Sequence, residues 1–309
     1  MTISRRDVLA LSTAAVATAA LPAKSSATES PEPFGYSFNT STIRGQKVPV
    51  EEEAKLAAKA GYNGFEPWMA ELHDFTRRGG NLKDLGKLIS DLGLKVESSI
   101  GFARWIVDDV LERQKGLDEA KRDMEMVLAI GGARIAAPPI GATDKAITDL
   151  QVIADRYRTL AELGSKMGVI PEAEVWGFSK TMSKLGETVQ VAMESGHPKA
   201  CVLPDVYHLY KGGSGFDGLR LLSAKAIGIF HVNDYPKDKD RKVIKDADRV
   251  FPGDGVAPLA EMFRTLRDLG YRGMLSLELF NPEYYKRDAF EVVKTGLDKT
   301  RATVQAALA

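Results

Sequence analysis

Four acidic or imidazole side chains stand at the ends of four successive apolar segments in the second half of the chain. They are Glu174, Asp205, His231 and Glu278. An acid or imidazole buried in a strand must be hydrogen-bonded, paired or bound to a cation. Each residue alone could be a capped acid or a hydrogen-bonded core histidine. Four in succession favour one metal site, because neighbouring parallel strands bring their carboxyl ends to a common mouth.

The ligand types in this set restrict the metal and its chemistry. Three carboxylates and one imidazole form a hard, oxygen-rich site that suits Mn, Mg or Co, with Zn as a further option. The single cysteine, Cys201, allows neither an intramolecular disulfide nor a cysteine-based zinc site. A divalent ion that chelates adjacent hydroxyl and carbonyl oxygens acidifies the C–H bond between them, and a carboxylate can then move that proton.

Two of the four segments carry a second polar residue at an informative spacing. Glu172 and Glu174 are two positions apart in one strand and therefore share a face. Glu174 is nearer the carboxyl end, where barrel enzymes place their chemistry, so we predict Glu174 as the ligand and Glu172 as an acid that supports the ligands or the structure. His208 follows Asp205 by three residues, which strengthens the assignment of that segment to a site.

The elements that must position these residues follow from the alternation of short apolar runs with longer amphipathic ones after Pro33. Eight β/α units are predicted, with strands at 34–39, 64–67, 94–99, 133–137, 169–175, 200–205, 226–232 and 273–279. The predicted helices are 50–60, 82–92, 107–130, 145–167, 182–195, 214–224, 256–269 and 285–306. This strict alternation predicts an α/β protein with one closed (β/α)8 TIM barrel domain over residues 31–309. A doubly wound open sheet is the alternative, but its dinucleotide fingerprint is missing.

One predicted connection, residues 235–255, is unusually long and polar and ends in Pro-Gly-Asp-Gly. It follows the seventh strand, so in a barrel it lies on the active face and could cover the site as a lid. A solvated surface insertion is the alternative.

The first thirty residues differ from the rest of the chain. Arg5 and Arg6 precede an Ala-rich apolar run and a small-residue segment, which is typical of a twin-arginine signal peptide with cleavage near Ala27. We therefore predict export to the periplasm, with a loose N-terminal helix of a cytoplasmic protein as the alternative. The run is too short and Ala-rich for a good membrane span.

The 42 basic and 42 acidic residues of the whole chain cancel, so its net charge gives no attraction to nucleic acid. The oligomeric state stays open, with a homo-oligomer as one option.

The pattern of these residues resembles the xylose isomerase-like TIM barrel superfamily, in particular its sugar phosphate isomerase/epimerase members. The resemblance is carried by the four residues at the strand ends, His208, Asp234, the segment 252–255 and the segment 61–66, and it extends over nearly the whole chain from Phe34. It implies a metal on Glu174, Asp205, His231 and Glu278. It also implies that Glu174 and Glu278 exchange the substrate proton and that His208 contacts a substrate hydroxyl.

Several substrate contacts are less specific. The resemblance implies that Glu66 faces the barrel, where it contacts substrate or supports the core. Trp105 and Trp176 follow the third and fifth strands, where they could stack on a sugar ring or simply pack. The epimerases of this group carry a glutamate where Lys180 stands and an arginine where Lys237 stands, with Arg241 as a stand-in. Both departures count against simple ketohexose epimerisation.

The function predicted is a metal-dependent isomerase or epimerase of a small keto-sugar. A lyase or dehydratase acting on keto-sugars or keto-glycosides is the alternative, since both reactions begin with removal of the same proton. The superfamily's apurinic-site endonuclease activity is disfavoured, because a cluster of two or three metals requires more histidines than the four in this chain.

Overall fold

The computed structural model describes residues 32–309, and the predicted signal peptide therefore lies outside the described residues. Residues 33–309 form one compact unit. The strands are β1 (Gly35–Asn39), β2 (Gly64–Glu66), β3 (Lys95–Val96), β4 (Arg134–Ala137), β5 (Ile170–Glu174), β6 (Val202–Leu203), β7 (Phe230–Val232) and β8 (Met274–Leu277). The helices are α1 (Val50–Ala60), α2 (Met69–Arg77), α3 (Leu82–Asp91), α4 (Val110–Ala129), α5 (Leu150–Met167), α6 (Leu185–Glu194), α7 (Val206–Gly212), α8 (Leu259–Asp268) and α9 (Ala289–Leu308).

The strands close into a ring in which all neighbours are parallel. Regular pairing gives the order β3-β2-β1-β8-β7 and the order β4-β5-β6. Backbone hydrogen bonds join the two sheets at both seams: the amide of Ala136 donates to the carbonyl of Ser99 (2.9 Å), and the amide of Gly228 donates to that of Val202 (3.0 Å). The predicted (β/α)8 barrel is thus confirmed, and the open sheet is not formed.

Local sequence explains where several helices begin and end. Asp109, Asp149 and Asp288 cap α4, α5 and α9 by accepting hydrogen bonds from amides of the first turn. Gly61 and Gly168 end α1 and α5 with φ of +100° and +87°, a left-handed conformation that glycine adopts without steric cost.

Three helical segments differ from the sequence prediction. The segments α2 and α7 are additional, and the predicted helix 214–224 is instead two 3-10 segments, Phe216–Leu221 and Ala224–Ala226. Helix α7 forms because Asp205 caps its first turn, and it is stopped by Gly213 at φ +75°. None of the helices in the described range is long and apolar enough to cross a membrane.

The loop after β7 is folded against the barrel around one carboxylate. Asp234 accepts hydrogen bonds from the amides of Gly253, Gly255 and Ala257 at 2.9–3.0 Å, and its backbone pairs with Val250. Lys242 and its neighbours are exposed, whereas Ile244, Arg249 and Phe251 are buried. The loop is therefore an anchored part of the active face rather than a fully solvated insertion.

Helix α1 contains a buried acid that predicts a pH-dependent stability. The side chain of Glu53 is 1% exposed, its Oε2 has no hydrogen-bond partner among residues 32–309, and burial raises the pKa of this carboxyl well above its usual range. A raised folded-state pKa gives stability that is present below the unfolded pKa and is lost as pH rises toward the folded pKa. We expect Glu53→Gln to match the wild type near pH 4.5 and to be about 1–3 kcal/mol more stable at pH 8.

Urea unfolding of the two proteins at both pH values checks this expectation, with the exposed Glu52→Gln on the same helix as control. A wild type that is as stable as Glu53→Gln at pH 8 would show that the buried acid has a partner or stays hydrated.

Candidate active site

Three of the four predicted ligands meet at the carboxyl ends of β6, β7 and β8. Asp205, His231 and Glu278 are buried, and one ligand atom from each lies within 4.8 Å of the others. Strand pairing fixes this proximity, because Asp205 forms a parallel bridge with His231 and His231 lies in register with Ser276. The cluster follows from barrel closure and from the position of each residue along its strand.

The imidazole of His231 is oriented by Glu66 on β2. The His231 Nε2 atom lies 3.0 Å and 3.2 Å from the two oxygens of Glu66, whose Oε2 also accepts hydrogen bonds from Asn39 and Ser276. The Nδ1 atom thus faces the cluster, 3.3 Å from Glu278 Oε2, and it has no hydrogen-bond partner within the described part of the chain. A carboxylate behind a ligating histidine is a recurrent feature of metal sites.

This arrangement distinguishes between the two roles predicted for Glu66. The residue was expected to contact substrate or support the core, and it is fully buried, with its carboxylate engaged by His231, Asn39 and Ser276, which agrees with the supporting role. It is a positioning residue for His231.

We expect Glu66→Gln to weaken divalent-metal affinity by about 10–100-fold, since the amide does not hold the imidazole as the carboxylate does. Metal titration by isothermal calorimetry measures the change, and the exposed Glu52→Gln is the control. An unchanged dissociation constant would mean that His231 does not bind the ion or does not need Glu66 to do so.

Asp205 links the cluster to α7 and to His208. Its Oδ1 accepts the backbone amide of His208 at 2.8 Å, and its Oδ2 accepts hydrogen bonds from Asn233 and Arg249, each at 3.0 Å. Asp205 and His208 are thus three residues apart because Asp205 caps α7 by accepting a hydrogen bond from the His208 amide. Burial lowers the pKa of His208 to about 3, so its imidazole is neutral at physiological pH and lines the cavity as an uncharged donor or acceptor.

Arg249, from the long loop after β7, was not predicted as a site residue. Its guanidinium is fully buried, and Nη1 donates to Asp205 (3.0 Å) and Glu278 (2.8 Å). Nη2 donates to Asp246 at 2.6 Å and lies 3.3 Å from His208 Nε2. The sequence signal was slight: Arg249 opens the apolar segment Arg249-Val250-Phe251-Pro252 of an otherwise charged loop.

Glu174 ends β5 and faces the same cavity, outside the tight group of three. Its Oε2 has no hydrogen-bond partner in the structure of residues 32–309, and burial raises its pKa well above the usual range. Burial alone would also raise the pKa of Glu278, but the charges of His231 and Arg249 outweigh it and hold that pKa well below its usual range. Two carboxyl groups in one cavity with oppositely shifted pKa values can act as an acid and a base.

The cavity above these residues has a volume of about 250 Å³ and mostly aromatic walls. Its lining comprises Trp68, Ile100, Phe102, Glu174, Trp176, Phe178, His208, Asp246, Arg249, Glu278 and Phe280. The ring centroids of Trp68 and Phe102 are 4.9 Å apart, and those of Trp176 and Phe178 are 5.0 Å apart. Trp176, which was predicted to stack on a sugar ring or simply to pack, lines this cavity.

Two other predicted substrate contacts lie elsewhere. Trp105 is buried in the core, where its Nε1 donates to the carbonyl of Pro138 at 2.9 Å and its ring packs on Tyr157. Arg241 is exposed on the loop after β7 and lies beside Gly213. The assignment of these two side chains to substrate is therefore corrected: one packs the barrel, and the other does not line the cavity.

The residues present fit a divalent cation. The carboxylates of Glu66 and Glu278 raise the pKa of His231 well above its usual range against the opposing effect of burial, so positive charge is favoured at this point. An unpartnered imidazole nitrogen and two carboxylates meet in the cluster, and Glu174, whose Oε2 has no hydrogen-bond partner among residues 32–309, lines the adjoining cavity together with Glu278. Such mixed oxygen and nitrogen donors suit Mn, Co, Zn or Mg.

Comparisons with known proteins agree with this geometry. The sequence model of the xylose isomerase-like TIM barrel family matches residues 54–302. Inosose isomerase of Bacillus velezensis is 28% identical over 272 residues, which are 86% of this chain and 96% of that protein. The 3-dehydroshikimate dehydratase of Pseudomonas putida is 24% identical over 233 residues, 75% of this chain and 36% of that longer protein.

A crystal structure of IolI protein with a binding zinc atom has the same fold. It superposes with a TM-score of 0.83 at 23% identity and covers 89% of this chain and 99% of that chain.

Proposed function

Because this chain belongs to the xylose isomerase-like TIM barrel family, we propose that it is a metal-dependent isomerase or epimerase of a small keto-sugar. The observation that carries the proposal is the buried Asp205–His231–Glu278 cluster beside a cavity that Glu174 and Glu278 both line. Inosose isomerase among the relatives supports a polyhydroxylated ring ketone as the substrate class.

Asp205, His231 and Glu278 would hold the ion, and Glu174, which lies outside this tight group, is assigned to proton transfer. When bound, a divalent ion acidifies the C–H bond next to a chelated carbonyl. Glu278, held ionised, is the base that removes this proton, and the electron pair of the C–H bond moves into the carbonyl to give an enediolate. Glu174, whose pKa is raised by burial, returns a proton to carbon. Return to the opposite face of the same carbon gives an epimer, and return to the neighbouring carbon gives an isomer.

Three further features of the cavity support this chemistry. Arg249 brings a fixed positive charge to the place where the enediolate develops negative charge. His208 supplies a neutral imidazole for a substrate hydroxyl. The aromatic walls formed by Trp68, Phe102 and Trp176 exclude water and offer faces for a sugar ring.

The proposal is tested by incubating the protein with inosose and other keto-sugars in heavy water, with Mn, Mg, Co or Zn added. An isomerase or epimerase incorporates deuterium at carbon next to the carbonyl and yields an isomeric product by NMR. No exchange with any ketone and metal combination would refute the proton-transfer function.

A dehydratase is the second candidate, favoured by the likeness to 3-dehydroshikimate dehydratase. Removal of the same proton would be followed by expulsion of a β-hydroxyl as water, with Glu174 supplying the proton to the departing oxygen. The product is then an unsaturated ketone, which the same NMR experiment distinguishes from an isomer by its vinyl proton.

The buried Arg249 and the exposed Arg241 lie on the same loop, and lysine substitutions should affect them differently. We expect Arg249→Lys to lower kcat/KM by about 10–100-fold, because lysine cannot reach Asp205, Glu278 and Asp246 together as the planar guanidinium does. Arg241→Lys is the matched control and should retain wild-type kinetics. Equal kinetics for both variants would contradict the role given to Arg249, and urea unfolding checks that each variant is folded.

We further propose, from residues 1–30 alone, that the protein is exported through a twin-arginine signal. Replacement of Arg5 and Arg6 by lysine should retain the full-length chain in the cytoplasmic fraction, whereas the wild type should appear, shortened, in the periplasm. Equal distribution of both forms would refute export by this route.

A further inference from the structure

A second pocket, of about 640 Å³, adjoins the catalytic cavity and shares Trp68 and Phe102 with it. The rest of its lining comes from the segment after β1 and from helices α1 and α2, and it includes Arg44, Lys47 and Glu53. Because these segments follow the carboxyl ends of β1 and β2, the pocket lies on the active face of the barrel. A group attached to a substrate in the catalytic cavity can therefore reach it.

Arg44 lies at the junction of the two spaces with its hydrogen-bonding groups unused. Its guanidinium carbon is 3.7 Å from the centroid of the Trp68 ring and 5.3 Å from that of Phe280, and both rings line the catalytic cavity. None of its side-chain nitrogens has a hydrogen-bond or ion-pair partner among residues 32–309. Stacking therefore holds the guanidinium in place while its planar fork of N–H donors remains available to an oxyanion.

Lys47 is a second cationic side chain of this lining without a partner. Its amide donates to the carbonyl of Arg44 at 3.2 Å, so one turn of backbone connects the two residues. Its ammonium group forms no hydrogen bond or ion pair within the described part of the chain. Lys47 also has a φ of +55°, a left-handed conformation that is uncommon for residues other than glycine, and such positions are frequent at ligand sites.

Glu53 is a buried acid of the same lining that also lacks a partner. Its side chain is 1% exposed, and its Oε2 has no hydrogen-bond partner in residues 32–309. Burial raises the pKa of this carboxyl well above its usual range, which favours the protonated form, and the O–H of that form can donate to an anion. A buried polar atom left unpaired is costly, and an oxygen of a ligand would remove that cost.

The other charged side chains around the pocket largely balance one another. Arg77 and Arg78 form ion pairs with Asp74, at 3.4 Å and 2.9 Å. Arg78 also pairs with Glu51 at 3.2 Å, so these two cations and two acids cancel. With the buried acid of α1 in its protonated form, Glu71 alone opposes the two unpartnered cations of the lining. The pocket therefore keeps a small net positive charge, which favours a singly charged anion over a neutral group or a dianion.

We propose that Arg44 and Lys47 bind a carboxylate of the substrate, with Glu53 as a further donor, while the carbonyl of the keto-sugar lies in the catalytic cavity. The inference rests on the proposed function for the keto-sugar itself. It specifies the substrate class further, as a keto-sugar acid. The fork of a guanidinium matches the two oxygens of a carboxylate, and a charge-assisted hydrogen bond of this kind is stronger than one to a hydroxyl.

The test measures binding by calorimetry to the metal-loaded protein near neutral pH, with ligands that differ in charge at one end. Fructuronate and tagaturonate carry a terminal carboxylate, fructose and tagatose are their neutral counterparts, and fructose 6-phosphate is the doubly charged probe. Arg44→Met and Lys47→Met each remove one charge of the pocket. Arg220→Met, at an exposed arginine that lines neither space, removes the same charge elsewhere and is the matched control.

We expect the wild type and Arg220→Met to bind at least one uronate about 10-fold or more tightly than its neutral counterpart, because a hydrogen bond to a charged group is usually worth about that factor. Arg44→Met and Lys47→Met should each bring this ratio close to one. Lys47→Met leaves the stack of Arg44 on Trp68 in place, so it should keep binding of the neutral sugars within about two-fold of the wild type.

A carboxylate can also bind a metal ion directly, and the two variants separate this effect from the pocket. A high ratio that survives both Arg44→Met and Lys47→Met would overturn the inference. A wild-type ratio near one for both pairs, or no measurable binding of either uronate, would overturn it as well. Tighter binding of fructose 6-phosphate than of fructuronate would overturn the assignment to a carboxylate.

Deuterium exchange in heavy water, measured on the same samples, keeps the two proposals apart. A high binding ratio that is lost in Arg44→Met, without exchange on any ketone, supports the carboxylate site and refutes the proton-transfer function. Exchange on the charged and neutral ligands with a binding ratio near one supports the function and refutes the carboxylate site.

Discussion

Replacement of Glu174 by Gln should lower turnover of the keto-sugar substrate by about 10²–10⁴-fold, the usual contribution of a positioned acid or base. Burial raises the pKa of the Glu174 carboxyl, which lines the cavity, and its Oε2 has no hydrogen-bond partner among residues 32–309. The amide fills the same space but has no acidic proton to transfer. The loss should appear in kcat, since the shape and the aromatic walls of the cavity are unchanged.

The same strand offers a matched control. Glu172 is equally buried, its pKa is raised to about 8 by burial, and its carboxylate lies 3.4 Å from Arg134 rather than in the catalytic cavity. Glu172→Gln should therefore retain turnover close to the wild type. If Glu172→Gln is the inactive variant and Glu174→Gln is active, the choice between these two acids is wrong.

Metal content separates loss of chemistry from loss of the ion. Glu174→Gln should keep most of its bound metal, because Asp205, His231 and Glu278 form the tight part of the site. Elemental analysis of the purified variant provides this measurement. A variant that is inactive and also metal-free would make Glu174 an essential ligand and leave its role in proton transfer without support.

Removal of the metal by a chelator should reduce turnover to background, and addition of a divalent ion should restore it. The physical reason is that the buried carboxylates of Asp205 and Glu278 lie close together beside His231, and without a divalent cation their charge is only partly balanced by Arg249 and the imidazole. Binding of the ion should also stabilise the fold, by about 2.7 kcal/mol at a free concentration 100 times the dissociation constant. Activity and urea unfolding with Mn, Mg, Co and Zn in turn identify the effective ion.

Asp205→Asn provides the comparison for this experiment. The amide oxygen can still cap α7 by accepting the His208 amide, so the helix should persist while metal affinity falls. We expect that added metal restores the chelated wild type but restores the variant only at much higher concentration. Full turnover in wild-type protein that elemental analysis shows to be free of metal would contradict a metal-dependent reaction.

The sequence by itself determined the barrel and the residues at its strand ends. Glu174, Asp205, His231 and Glu278 could be found because strand periodicity is local and because a polar group in an apolar strand must have a partner. The helices α2 and α7 could not be predicted from the sequence, because these short helices depend on a capping side chain and not on a long amphipathic pattern. The exact limits of the elements were also not predicted. The signal peptide and the export that it implies remain predictions from the sequence.

Only the tertiary structure decided which side chains complete the site. Glu66 contacts His231 across 165 positions of sequence, and Arg249 reaches Asp205 because Asp234 anchors the loop that carries it. Trp105 turned inward and Arg241 outward, although both follow strands on the active face. The direction of a loop and the partner of a buried charge are set by contacts between distant segments, which no local pattern of residues encodes.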